Sequence, residues 1–215
     1  MKKPLVSAII PAYNEAPRIG NVLDVLANHP LIKEVIVVDD GSTDNLKAAI
    51  RSYRVRYVRI RENKGKGYAM ERGVRSAKGD IILFCDADVT GLNKDIIMKI
   101  IEPVLNGKRE MYIAVRNHDL LLAFKKFGFF PLLSGERALT KRLWNRVPPD
   151  FKRKFRIETA LNFYARQIKG IGYRVFPQLT QTIKERKYGI LEGAFRRLGM
   201  CKDVVLAFVM LRLRS

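Results

Sequence analysis

Residues 35–44 read Val35-Ile36-Val37-Val38-Asp39-Asp40-Gly41-Ser42-Thr43-Asp44, an apolar run of strand length that stops in a polar turn. A run of this kind suits a strand covered on both faces. Comparable runs recur at Leu5–Ile10, Val55–Ile60 and Ile81–Cys85, with helically spaced segments between them. In the first of those segments Ile19, Val22, Leu23 and Leu26 form an i, i+3, i+4, i+7 stripe that ends before Pro30. Strands alternating with helices predict an α/β fold: a Rossmann-like, mostly parallel central sheet with helices on both faces. Ligands of such sheets bind at the carboxyl ends of the strands.

The second half is less regular. A strand Met111–Val115 is followed by an apolar patch, Phe124–Leu133, and then by a helix from about Arg137 to Trp144. After a basic loop come a helix Glu158–Lys169, two short extended pieces around Arg174–Phe176 and Leu179–Ile183, and a C-terminal helix. Val147-Pro148-Pro149-Asp150 reads as a mobile loop. No repeat or linker divides the chain, so residues 1–215 are expected to form a single domain.

The formal net charge of +20 is unevenly placed. Residues 1–110 hold 19 Lys and Arg against 14 Asp and Glu, whereas residues 111–215 hold 22 against 7. A basic half implies an anionic partner such as lipid headgroups, a phosphorylated substrate or nucleic acid. Cys85 and Cys201 show no CxxC spacing and no His partner, which fits a reducing cytoplasm and argues against thiol chemistry. No apolar stretch approaches the ~20 residues that cross a bilayer, and Met1-Lys2-Lys3-Pro4 runs straight into a strand. A cytoplasmic protein, neither secreted nor membrane-spanning, is expected.

Polar residues follow the strands where this fold class places a ligand. They are Pro11-Ala12-Tyr13-Asn14-Glu15, Asp39 to Asp44, and Asp86-Ala87-Asp88. Singly, Asp40-Gly41 reads as a turn, and Glu15 or Asp44 as a helix-start charge. Three such clusters at successive strand ends ask for more than turns. On an extended chain Asp86 and Asp88 point the same way while Ala87 faces the other side. Their hard oxygens suit Mg²⁺ or Mn²⁺, ions that take one or two carboxylates and let substrate phosphates complete the shell. Adjacent Asp39 and Asp40 diverge, and we assign Asp39 to the cleft. An acceptor-only carboxylate there favours the ring N–H of uracil or guanine over cytosine. Asn63-Lys64-Gly65-Lys66-Gly67 opens a helix that continues through Ala69, Met70 and Val74. Free amides and two lysines at a helix start attract phosphate, although Lys-Gly surface loops are common.

In order and spacing, Pro11–Glu15, Asp39–Asp44, Asn63–Gly67 and Asp86–Asp88 resemble the nucleotide-binding motifs of glycosyltransferase family two. The resemblance covers residues 4–110 most strongly. It implies the GT-A fold, with residues 1–110 as the nucleotide-sugar-binding half and residues 111–215 as the acceptor-binding half. It also implies that Pro11, Ala12, Tyr13 and Glu15 surround the base and ribose, and that Asp39 holds the base. Asp88 is then the principal metal ligand, with Asp86 on ribose or metal and Lys66 on the nucleotide sugar. Ser134-Gly135-Glu136 is similar to the turn that borders the sugar pocket in such enzymes; alone it reads as a turn and helix start, with Glu136 serving the helix dipole. Ile157–Asn162 resembles the segment that supplies the catalytic base of inverting members, here Glu158. Where relatives place a metal- or phosphate-binding His, this chain has Ile183-Lys184-Glu185-Arg186-Lys187, and those cations are candidates for the diphosphate. His29 and His118 match no family position and read as structural or exposed.

The reaction implied is metal-dependent, inverting transfer from a UDP- or GDP-sugar to an anionic or lipid-linked acceptor, with Glu158 as base. The alternative is a retaining enzyme with a soluble phosphorylated acceptor, resembling the glucosyl-phosphoglycerate synthases. A basic nucleic-acid-binding module is the rival outside catalysis, and it leaves the strand-end acids unexplained, since they repel phosphate. Val204–Leu211 is an apolar run bracketed by Arg196, Arg197, Lys202, Arg212 and Arg214. It suits either a buried helix or a peripheral contact with the inner face of a membrane, and the basic half favours the second.

Overall fold

A computed structural model describes residues 4–116, 134–153, 156–181 and 190–213. Strand β1 (Val6–Ala12) pairs in parallel with β2 (Ile32–Asp40) on one side and with β4 (Ile81–Phe84) on the other. Beyond β2 lies β3 (Arg56–Ile60), also parallel. Beyond β4 come β7 (Arg137–Thr140), β6 (Met111–Val115) and β8 (Ile171–Val175). β7 runs antiparallel to β4 and β6, while β6 and β8 are parallel. The order β3-β2-β1-β4-β7-β6-β8 is thus a mostly parallel α/β sheet, as the sequence predicts.

The apolar strand residues sort by the two-residue alternation of a strand. Ala8, Ile10, Val35, Val37 and Leu83 pack against α1 (Ile19–Leu26), α2 (Leu46–Ala49) and α4 (Lys94–Leu105). Ile9, Ile36, Val38, Ile82 and Phe84 face the opposite layer. That layer holds α3 (Lys66–Ser76), α5 (Lys141–Arg146), α6 (Arg156–Gln167) and α7 (Ile190–Arg212). The four stripe residues of α1 are fully buried, so hydrophobic burial fixes which side of that helix meets the sheet.

Three local expectations are corrected. Arg137–Thr140 is strand, and the helix starts only at Lys141. The slot between β4 and β6 satisfies the backbone of Ala138 and Leu139 and buries both side chains, which outweighs their helical propensity. The Thr140 hydroxyl then caps α5 by accepting from Leu143 N–H at 3.1 Å. The Pro148-Pro149 loop closes into a 3₁₀ turn, Pro149–Phe151, and the fully buried Phe151 anchors it. β8 begins at Ile171, earlier than read, because its ladder with β6 starts at Met111. Val89–Thr90 (β5) pairs antiparallel with Thr180–Gln181 (β9), bringing the second half beside Asp88. The patch Phe124–Leu133 lies outside the described residues.

α7 packs on α6 and buries Val204, Ala207 and Leu211. Its other side exposes Val205, Leu206, Val209 and Leu213, flanked by exposed Lys202 and Arg212. The helix therefore has one core-facing side and one outward apolar strip. No helix among the described residues is long and apolar enough to cross a membrane.

α3 packs tightly on the sheet at Gly73, where an added Cβ would overlap side-chain atoms of Ile9 and press on Val38. Gly73→Ala is expected to overpack this contact and cost about 1–3 kcal/mol, read as a lower urea midpoint. A wild-type midpoint would mean that α3 can move off the sheet freely.

Candidate active site at the strand ends

The carboxyl ends of β1, β2 and β4 open on one edge of the sheet, and the start of α3 joins them there. After β1, Asn14 takes a left-handed conformation (φ 55°), and its side-chain oxygen accepts from Thr43 N–H at 2.8 Å. Asp44 accepts from Ala16 N–H at 2.8 Å, so the two loops are laced together. Pro11 and Tyr13 are half-buried beside them, Ala12 is buried, and buried Glu15 accepts from Arg18 Nε at 2.6 Å.

Asp39 and Asp40 diverge as expected. Asp39 is fully buried; it accepts from Ser42 N–H at 2.7 Å, from the Tyr57 hydroxyl, and from Arg59 at 2.5 Å. Burial alone would raise its pKa. Hydrogen bonds from Tyr57 and Ser42, with the Arg59 charge, reverse that and hold it below the usual carboxylate range. Asp40 braces the approach to α3 by accepting from Lys64 and Gly65 N–H at 2.9 and 2.7 Å, and burial raises its pKa.

At the end of β4, Ala87 and Asp88 form a turn, so the expected strand alternation across 86–88 does not hold. Asp86 and Asp88 are nevertheless both buried. Lys66, in the first turn of α3, places its ammonium 2.8 Å from Asp86 Oδ1 and 2.7 Å from Glu158 Oε1 at the start of α6. Arg116, just past β6, donates to Asp86 Oδ2 at 2.7 Å and to both oxygens of Glu136 at 2.6 and 2.8 Å. Glu136 is fully buried and also accepts from the Ser134 hydroxyl at 3.0 Å. Gly135 lies under Asp86 so closely that a Cβ would overlap its carboxylate. Fully buried Arg137 donates to the Ser134 carbonyl at 2.6 Å.

Burial by itself would drive the Lys66 ammonium towards neutrality, but Asp86 and Glu158 outweigh it and raise its pKa. Asp86 is held far below the usual carboxylate range because Lys66 and Arg116 overcome its desolvation. Glu158 is lowered in the same way, by Lys66 and Arg137 against burial. All three stay charged at neutral pH. Among the described residues no three His, Cys, Asp or Glu side chains are grouped to hold a metal unaided. Two carboxylates completed by phosphate oxygens remain a fitting donor set for a hard divalent ion.

The model of the family described as "Glycosyl transferase family 2" matches residues 7–176. The chain belongs to that family. Its fold is GT-A, and solved glycosyltransferase structures superimpose on it. Glucosyl-3-phosphoglycerate synthase from Mycobacterium tuberculosis, solved with Mn²⁺, UDP and glucosyl-3-phosphoglycerate, has a TM-score of 0.78 and 23% identity over 96% of this chain and 79% of its own. An uncharacterized glycosyltransferase, YaiP, of Escherichia coli (strain K12) is 42% identical over 92 residues, 40% of this chain and 23% of that protein. The 4,4'-diaponeurosporenoate glycosyltransferase of Staphylococcus aureus (strain MRSA252) is 39% identical over 101 residues, 45% of this chain and 27% of that protein. The match thus spans about a quarter of the length of these two relatives.

In this family 2 chain, Asp39, Lys66, Asp86, Asp88, Ser134, Gly135 and Glu158 stand at one sheet edge. Glu136 is corrected: it precedes a strand, not a helix, and neutralises Arg116 instead of a dipole. Arg116, Arg137, Tyr57 and Arg59 went unrecognised in the sequence. For Arg116 a signal existed, a charge ending the apolar run Met111–Val115, just as Asp86 ends the run before it. His29 is structural, buried with Nε2 3.0 Å from the Lys94 carbonyl. His118, Lys184, Arg186 and Lys187 lie outside the described residues.

Arg116→Met leaves two buried carboxylates facing each other without their shared cation. It is expected to destabilise the fold by about 3–5 kcal/mol, measured by urea denaturation. A loss under about 1 kcal/mol, typical of exposed pairs, would show that the cluster is well solvated.

Proposed function

We propose that this chain is the catalytic domain of a metal-dependent glycosyltransferase that moves a sugar from a UDP- or GDP-sugar to an anionic acceptor. The observation that carries this reading is the Lys66 bridge between Asp86 and Glu158. It joins the helix start that attracts phosphate to the carboxylates suited to a metal and to an acceptor hydroxyl. The Mn²⁺ and UDP of the solved mycobacterial synthase support it by analogy of fold.

In this reading Pro11, Ala12, Tyr13 and Glu15 border the base and ribose. Asp39 accepts from the ring N–H of uracil or guanine once it gives up one of its present donors. Asp88, with Asp86, holds Mg²⁺ or Mn²⁺. The ion, when bound, neutralises charge developing on the departing diphosphate. Ser134 and Gly135 border the sugar, with Gly135 leaving space against Asp86. Glu158 serves as base for an inverting transfer only after Lys66 turns from it to the phosphates. Its pairing with Lys66 favours a second reading. A carboxylate held ionised by an ammonium is a poor proton acceptor, and an already ionised phosphate acceptor needs no base. The bond formed separates the two: a glycosyl phosphate if an acceptor phosphate oxygen attacks, an ordinary glycoside if a hydroxyl does.

UDP- and GDP-sugars with Mn²⁺ are expected to give donor hydrolysis or transfer, and Asp88→Asn to lower it at least about a hundredfold with loss of metal dependence. Undiminished turnover in that variant would overturn the metal assignment.

The outward strip of α7 supports an acceptor at an anionic membrane surface. Val205, Leu206, Val209 and Leu213 can enter the interface while Lys202 and Arg212 meet headgroups, each cation contributing about 1 kcal/mol. Flotation with anionic but not neutral vesicles is expected, weakened by salt and by Val205→Asp with Val209→Asp. No binding to anionic vesicles at low salt would leave a soluble phosphorylated acceptor.

A further inference from the structure

Among the described residues, seven charged side chains gather around the end of β4. Lys66, Arg116 and Arg137 carry positive charge; Asp86, Asp88, Glu136 and Glu158 carry negative charge. All four acidic residues are buried. These seven groups together carry a single excess negative charge in a poorly solvated place, where a change of charge is expensive. A divalent ion entering alone would turn it positive beside two cations already bound to Asp86. A dianionic diphosphate entering alone would add to the carboxylates. When the two enter together, the total is unchanged.

The two cations on Asp86 differ in mobility. Arg116 is fixed by both oxygens of Glu136, and Glu136 is fixed in turn by Ser134. Lys66 reaches its carboxylates on a flexible four-carbon stem from the first turn of α3, so it can turn to a phosphate without disturbing the helix.

We infer that Lys66 is a resident counter-ion which makes metal binding conditional on the nucleotide: while it holds Asp86 and Glu158 it repels a lone divalent ion, and it admits the ion when a diphosphate draws it away. This inference rests on the nucleotide-sugar reading above. It adds a positioning and ordering role for Lys66 that the donor-binding role alone does not contain. By linkage, Mn²⁺ and UDP strengthen each other's binding by the same factor, and that factor is set by the Lys66 charge.

The test measures free Mn²⁺ by electron paramagnetic resonance, with and without UDP, for the wild type, Lys66→Met and Lys66→Arg. The wild type is expected to bind Mn²⁺ weakly alone and at least about tenfold more tightly with UDP, and Lys66→Arg to behave alike. Lys66→Met is expected to bind Mn²⁺ alone at least about tenfold more tightly than the wild type, because a unit charge a few Å away is worth at least that factor. Should that variant fail to fold, Lys66→Gln makes the same charge change while still hydrogen-bonding the carboxylates. If the wild type gains from UDP but neither neutral variant tightens Mn²⁺ alone, the counter-ion inference is overturned. If UDP does nothing for Mn²⁺ in the wild type, the nucleotide and metal reading beneath it fails instead.

Discussion

Charge taken out of water needs a partner of opposite sign within hydrogen-bond reach, because an unpaired buried ion costs several kcal/mol. This constraint governs the edge of the sheet where β4 ends. Glu136 is fully buried and Asp86, Asp88 and Glu158 nearly so, and they arrive from distant parts of the chain. Lys66 and Arg116 come from two further elements to meet Asp86, Glu136 and Glu158. The ion pairs therefore tie α3, β4, β6, β7 and α6 at one point, which hydrophobic packing alone would leave loosely registered.

The strand order makes that meeting possible. β7 enters antiparallel between β4 and β6, so its beginning, with Ser134, Gly135 and Glu136 ahead of it, lies at the carboxyl ends of its neighbours. A parallel strand in that slot would have put Glu136 at the far edge of the sheet. Both β4 and β6 then deliver a charged residue just beyond their last apolar one, Asp86 and Arg116, on either side of Glu136.

The loops after β1 and β2 obey the same rule. Asp39, beneath the loop Gly41–Asp44, is satisfied by Ser42, Tyr57 and Arg59, so in this state it braces the cleft it was expected to line. Its hydrogen bond to Tyr57 reaches across the ladder to β3, which leaves this side of the cleft built on a sheet edge. Arg59 is half exposed there, and an arginine so placed can turn towards solvent with little loss of stability.

By itself the sequence determined the parallel half of the fold and its acidic strand ends, because apolar runs and helical stripes report local burial directly. The i, i+3, i+4, i+7 stripe of α1 and the runs of β1, β2 and β4 were legible for that reason. So were the positions of Asp39, Lys66, Asp86 and Asp88 at the ends of elements, since each sits next to an element already identified. Tertiary structure decided what pairs over long range. Arg137–Thr140 has helical spacing but becomes a strand because β4 and β6 offer it hydrogen bonds on both sides. Glu136 reads as a helix-start charge until Arg116, 20 residues earlier, is brought to it. The partnership of Lys66 with Glu158, 92 residues apart, is invisible to any local pattern and arises only because two helices of one layer begin at the same edge of the sheet.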